Sequence, residues 1–156
     1  RMGKETFEVG YFIGAGHALR KSMLEGVGYY PDDFGLYAHE EIDLSYRAVN
    51  AGYTMRYTPS VAVLHKKDPG GRLAPAQVSH HLFYNRLIMT RKYLPFPYST
   101  INNFLWFSKT VIDARTPAVA FRAYRAYLRQ KPFIERRLLS RRAIRYMRVN
   151  RGRLFR

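Results

Sequence analysis

The stretch HEEIDLSYR, from His39 to Arg47, decides how this chain is read, because it sets Glu40, Glu41 and Asp43 at the point where a helix starts. At about 100° per residue, Glu40 and Asp43 share a face, Glu41 is turned aside, and Asp43 can pair with Arg47 one turn on. One acid is left without an obvious partner. A carboxylate beside a loop, at the positive end of a helix dipole, can serve as general base toward a hydroxyl nucleophile. Acids also favour a first helical turn on electrostatic grounds alone, so this segment by itself supports both readings.

Outward from that motif, the helix is expected to run to Asn50 or Ala51, with Gly52 as its stop and Leu44, Ala48 and Val49 packing inward. Upstream, FEVGYFI (Phe7 to Ile13) is aromatic and β-branched and runs into Gly14, Ala15 and Gly16, which predicts a strand entering a tight loop whose backbone can approach a ligand. A short helix is expected over Leu19 to Glu25, stopped by Gly26 and Gly28, followed by the turn-rich YYPDDFG. Downstream, Tyr53 to Leu64 reads as a strand with a break or edge at Pro59, delivering His65 at its end. Lys66 to Arg72 is a polar loop, and Ala76 to Tyr93 turns helical, closed by Pro95 and Pro97. The rest reads as helices broken near Pro117 and Pro132.

Composition narrows the functional classes. A chain of 156 residues, 47% hydrophobic, can bury a core, and the absence of cysteine excludes disulfides, thiolate catalysis and a Cys-ligated zinc site. Any metal must be held by histidine and carboxylate. The formal net charge of +16 predicts attraction to phosphates, whether of nucleotides, nucleic acids or anionic lipids. Much of it is C-terminal: Arg122 to Arg156 holds 12 Arg and Lys131 against Glu135 alone, interleaved with Phe121, Tyr124, Tyr127, Phe133, Tyr146 and Phe155. That pattern suits a cationic amphipathic helix at a membrane surface, and equally RNA or a solvated face. The first residues carry no apolar signal core, and Tyr98 to Asp113, interrupted by Asn102, Asn103, Ser108 and Lys109, suits a buried or interfacial helix rather than a spanning one. His80 and His81 are neighbours on a helix and face different ways, which disfavours a joint metal site.

Four elements resemble the C-terminal half of the catalytic domain of family 2 glycosyltransferases of the GT-A type, especially bacterial enzymes that transfer rhamnose or similar sugars to cell-envelope glycans. They are GAGHALRK (Gly14 to Lys21), GYYPDDFGLYAHEEIDLSYRAVNAGY (Gly28 to Tyr53), VAVLH (Val61 to His65) and YNRL (Tyr84 to Leu87). The second is the specific one. The resemblance, which covers roughly Val9 to Leu94, implies an α/β fold with residues 1–95 as the acceptor-side portion of a GT-A (Rossmann-like) domain with a few strands; composition changes at Pro95 and Pro97, and residues 96–156 read as a helical, Arg-rich C-terminal extension of basic amphipathic α-helices.

The same resemblance puts the catalytic base at Glu41, where the family usually has aspartate, and keeps Glu40 and Asp43 as competitors. It gives His65 a part in holding a divalent cation, Mg²⁺ or Mn²⁺, whose other ligands are mostly expected in an N-terminal half that these residues do not include; no Asp-x-Asp occurs in them. Gly14, Ala15 and Gly16 would let a sugar approach the backbone, while Lys66, Lys67 and Arg72 would close over the diphosphate. The expected partners are a nucleotide-diphosphate sugar donor, a glycan or lipid-linked acceptor, and an anionic membrane surface, with nucleic acid not expected. The expected location is cytoplasmic, peripheral at the inner face of the membrane. On this reading the chain is a fragment with little activity alone. The alternative from another class is a non-catalytic basic module that binds anionic membrane or RNA through its Arg-rich helices, which explains the charge but gives no role to the acidic motif. A family member that kept the fold and lost activity is a third possibility.

Overall fold

The computed structural model describes residues 5–31, 34, 39–66 and 73–154. Among them the architecture is α/β but mostly helical, with six α-helices and one two-stranded antiparallel sheet. The sheet pairs β1 (Phe7–Val9) with β2 (Met55–Tyr57) in the register Phe7 to Tyr57, Glu8 to Arg56 and Val9 to Met55. Across it the Phe7 and Tyr57 rings sit 5.1 Å apart, and Glu8 faces Arg56.

Both strands are shorter than expected from FEVGYFI and Tyr53 to Leu64. The backbone just beyond Val9 is engaged elsewhere: the Gly10 N–H donates to the Asn150 carbonyl at 2.8 Å and the Phe12 N–H to Ser45 Oγ at 3.3 Å. With no further strand to pair with among the described residues, residues 58–65 leave the sheet, and His65 lies in an irregular, exposed segment rather than at a strand end.

Helix α1 (Lys21–Val27) keeps Gly26 inside it and ends at Gly28, whose φ of 87° suits a residue without a side chain. Helix α2 (Glu40–Asn50) is the acidic motif. Its end is a Schellman motif: the Gly52 N–H donates to the Val49 carbonyl and the Tyr53 N–H to the Ala48 carbonyl, with Gly52 at φ 93°. Helix α3 (Pro75–Tyr93) opens with Pro at its first position, and the Gln77 side chain accepts the Ala74 N–H at 3.2 Å. Pro117 starts α5 (Pro117–Gln130), where Thr116 Oγ1 accepts from the Ala118 N–H, after α4 (Tyr98–Ala114) has ended in left-handed Arg115. Helix α6 (Arg141–Val149) is capped by Ser140 Oγ on the Ala143 N–H.

The core does not divide at residue 95. One cluster joins Ile42, Tyr46 and Val49 of α2 to Met89, Tyr93 and Leu94, and then to Leu139, Ala143, Met147 and Leu154. A second joins Phe83, Leu87 and Ile88 of α3 to Trp106, Ala120, Ala123, Tyr127 and Ile134. Buried residues on both sides of position 95 thus share the two clusters, and those between Trp106 and Leu154 cover the inner faces of α2 and α3. At their meeting point lies Arg86, fully buried, whose guanidinium donates to Asn102 Oδ1 and to the Arg153 carbonyl, each at 2.7 Å, and stands 5.5 Å from the Trp106 ring centre. Tyr46 donates to the same carbonyl, and Asn102 to that of Leu154.

No helix among the described residues is long and apolar enough to cross a membrane.

Candidate active site

The acidic motif splits by depth. Asp43 is buried, 1% exposed, and its carboxylate is fully engaged: Arg47 Nε donates to Oδ2 at 2.7 Å, the Tyr93 hydroxyl donates to Oδ1 at 2.6 Å, and Lys92 Nζ stands 3.9 Å away. Arg47 turns its remaining donors to the carbonyls of Val27, Gly28 and Tyr29. This network ties the end of α1 to α2 and α3, and burial together with the Asp43 charge pushes the Tyr93 hydroxyl well above its ordinary range. Asp43, a candidate base by sequence, is thus an internal anchor with no face toward an acceptor.

Glu41 goes the other way. Its carboxylate lies over Gly14, so closely that a methyl group at position 14 would collide with Glu41 Oε1. Ile13, Gly14, Ala15, Glu41 and His65 together line an open recess of about 550 Å³. Four of the residues singled out by sequence therefore converge, although they come from separate parts of the chain. The loop is held there by α2 itself: Ser45 Oγ donates to the Glu41 carbonyl at 2.6 Å and accepts from the Phe12 N–H. On its other side Gly16, at φ 77°, leaves no room for a side chain, since a Cβ would come within 2.7 Å of Val63 Cγ2. Gly16 thus seats the loop against the segment that carries His65. Glu40, half-buried at the first position of α2, is not among the residues lining the recess.

His39 shapes the entry to the motif. It is buried in a left-handed conformation (φ 86°), its ring edge-on to Trp106 at 5.4 Å between centres. A non-glycine residue held there costs about 1–3 kcal/mol and persists only where its surroundings fix it. That turn aims α2 so that Glu41 meets the glycine loop.

Two residues escaped the sequence reading. The His17 ring packs 4.8 Å from Phe12, with Nδ1 3.2 Å from the Ile13 carbonyl and Nε2 3.1 Å from the Tyr30 hydroxyl. A carbonyl can only accept, so Nδ1 carries the proton in the neutral ring and Tyr30 donates to Nε2. The pair bridges the glycine loop to the turn after α1. Partial burial, then the negative charges of Glu41 and Glu40, raise the Tyr30 hydroxyl pKa. Nothing in the spacing of a histidine and a tyrosine in different loops announces this pairing.

Lys66 is exposed on the segment that carries His65, and Lys67 and Arg72 lie outside the described residues. For a cation, the recess offers the His65 imidazole and the Glu41 carboxylate; among the described residues no group of three His, Asp or Glu side chains could hold a metal ion. Two donors do not make a divalent site. His80 and His81 meet ring edge to face at 5.3 Å, and burial followed by His81 and Arg122 lowers the His80 pKa. No family model, curated protein or solved structure matches the chain.

Proposed function

We propose that this chain supplies the acceptor side and the general base of an inverting glycosyltransferase related to the family 2, GT-A enzymes. Glu41 takes the proton of an acceptor hydroxyl as that oxygen bonds to the anomeric carbon of the donor sugar, and the bond from that carbon to the nucleoside diphosphate breaks in the same step. The proton ends on Glu41 and the electron pair on the diphosphate; single displacement inverts the anomeric centre. The acceptor is a hydroxyl of a cell-envelope glycan or a lipid-linked sugar.

One observation carries this reading: Glu41, a carboxylate without a buried partner among the described residues, lines the same open recess as His65, over a loop whose Gly14 has no side chain to obstruct it. The likeness of the four sequence elements supplies the reaction class. Of the three acids, Asp43 is committed to Arg47 and Tyr93 and Glu40 does not line the recess, which favours Glu41 as the base. His65 is proposed as one contributor to a divalent cation on the donor side, and the remaining ligands are sought outside the described residues. A purely cationic binding module would leave the seating of Glu41 on Gly14 without a role.

The test is nucleoside-diphosphate release from a panel of nucleotide sugars by the full-length gene product, with Glu41→Gln beside the unaltered protein. Turnover is expected to fall by about 10²–10⁴-fold with donor binding retained. Equal turnover would remove Glu41 from the chemistry and with it this assignment.

A further inference from the structure

The cationic helices and the aromatic residues were read in sequence as one amphipathic C-terminal stretch, but folding sorts them differently. Tyr127 is buried, and the Tyr146 hydroxyl turns inward to the backbone of Val9 and Met55. Phe121, Tyr124 and Leu128 stay outside, at 61%, 42% and 44% exposed, along one stripe of α5. Helix α4, whose sequence suits a buried or interfacial helix, adds a stripe of its own: Ile101, Phe104, Leu105 and Ile112, with Phe104 and Ile112 at 70% and 74%.

The two stripes adjoin. Only Arg115 and Thr116 separate α4 from α5, so the helices double back on each other, and Phe107 meets Phe121 at 5.4 Å between ring centres. That register sets the Phe104 turn opposite the Tyr124 to Leu128 turn. Arg122, Arg125 and Arg129, all exposed, follow one position behind Phe121, Tyr124 and Leu128 and so run as a parallel row about 100° round the helix. No carboxylate pairs with them among the described residues.

We infer that the exposed face of α4 and α5 docks on an anionic lipid surface, with Phe104, Ile112 and Phe121 entering the interface and Arg122, Arg125 and Arg129 holding lipid phosphates. Charge complementarity selects this occupant: an apolar face of this size, edged by unpaired arginines on a chain of net charge +16, matches a layer that is apolar within and anionic at its rim. RNA fits less well, since Ile101, Leu105 and Ile112 have no ring to stack on a base. The inference is independent of the recess at Glu41.

Co-sedimentation with phosphatidylcholine vesicles, with and without phosphatidylglycerol, tests it on the whole chain. Binding is expected only to the anionic vesicles, weakened about tenfold or more both by Phe104→Ser/Ile112→Ser/Phe121→Ser and by Arg122→Gln/Arg125→Gln/Arg129→Gln. All six side chains are exposed, so unchanged circular-dichroism melting is the control for folding. Undiminished binding by the apolar triple variant would overturn the inference. So would binding of poly(U) RNA without vesicle binding, or a dimer that the same apolar variant dissociates while vesicles go unbound.

Discussion

At the scale of single residues, Glu41 and Asp43 stand two positions apart and do opposite work. Replacing Asp43 by Ala leaves Arg47 and Tyr93 facing each other without their shared anion, and loss of one partner from a buried ion pair costs about 3–5 kcal/mol. Urea denaturation should show that loss for Asp43→Ala, whereas Glu41→Gln should unfold within about 0.5 kcal/mol of the unaltered protein. Comparable destabilisation by both would mean that Glu41 is structural too. The Asp43 to Arg47 pair was legible in the sequence because one helical turn separates them; Tyr93, 50 residues away, was not. Convergence of Gly14, Glu41 and His65 was expected only from the resemblance of their motifs, since no local rule joins them, and His17 and Tyr30 stayed hidden because nothing local links two loops.

At the scale of elements, helix boundaries followed local chemistry, and strands did not. Pro75, Pro117, Gly28 and Gly52 punctuate helices by rules that act within a few residues, and the observed ends lie close to those expected. A strand needs a partner, and residues 10–13 and 58–64 carry strand-like composition but lose the competition to Asn150 and Ser45 or find nothing to pair with among the described residues. Helix α6 offers a direct check on the local rules. It is nine residues long and rich in arginine, with Arg141 and Arg142 in the first turn, where positive charge opposes the helix dipole. The Ser140 cap therefore matters, and Ser140→Ala should lower stability by about 1 kcal/mol in thermal or urea unfolding. No change would show that packing of Ala143 and Met147 alone holds the helix.

At the scale of the whole molecule, the interior is closed by its most distant parts. Residues 150–154 lie against Gly10, Tyr46, Arg86 and Asn102; a Cβ at Gly10 would run into the Gly152 backbone, and one at Gly152 into Met147. Ending the chain after Asn150 should remove the carbonyls that receive Tyr46, Arg86 and Asn102, at about 1–3 kcal/mol for each buried group left unpaired, together with the packing of Leu154. Hydrogen exchange should then show α2, α3 and α4 losing protection together; retention of native protection would reduce the segment to a surface strap. Composition suggested a seam near residue 95 because charge and proline content change there, yet burial ignores it: charge is a property of the surface, and the core was assembled from faces on both sides. The position of Arg86 also sets an order on folding during synthesis. Its guanidinium leaves the ribosome 67 residues ahead of the oxygen that receives it. In the nascent chain α3 and α4 can meet early, but the buried Arg86 and Asn102 keep their water until Arg153 and Leu154 emerge to receive them.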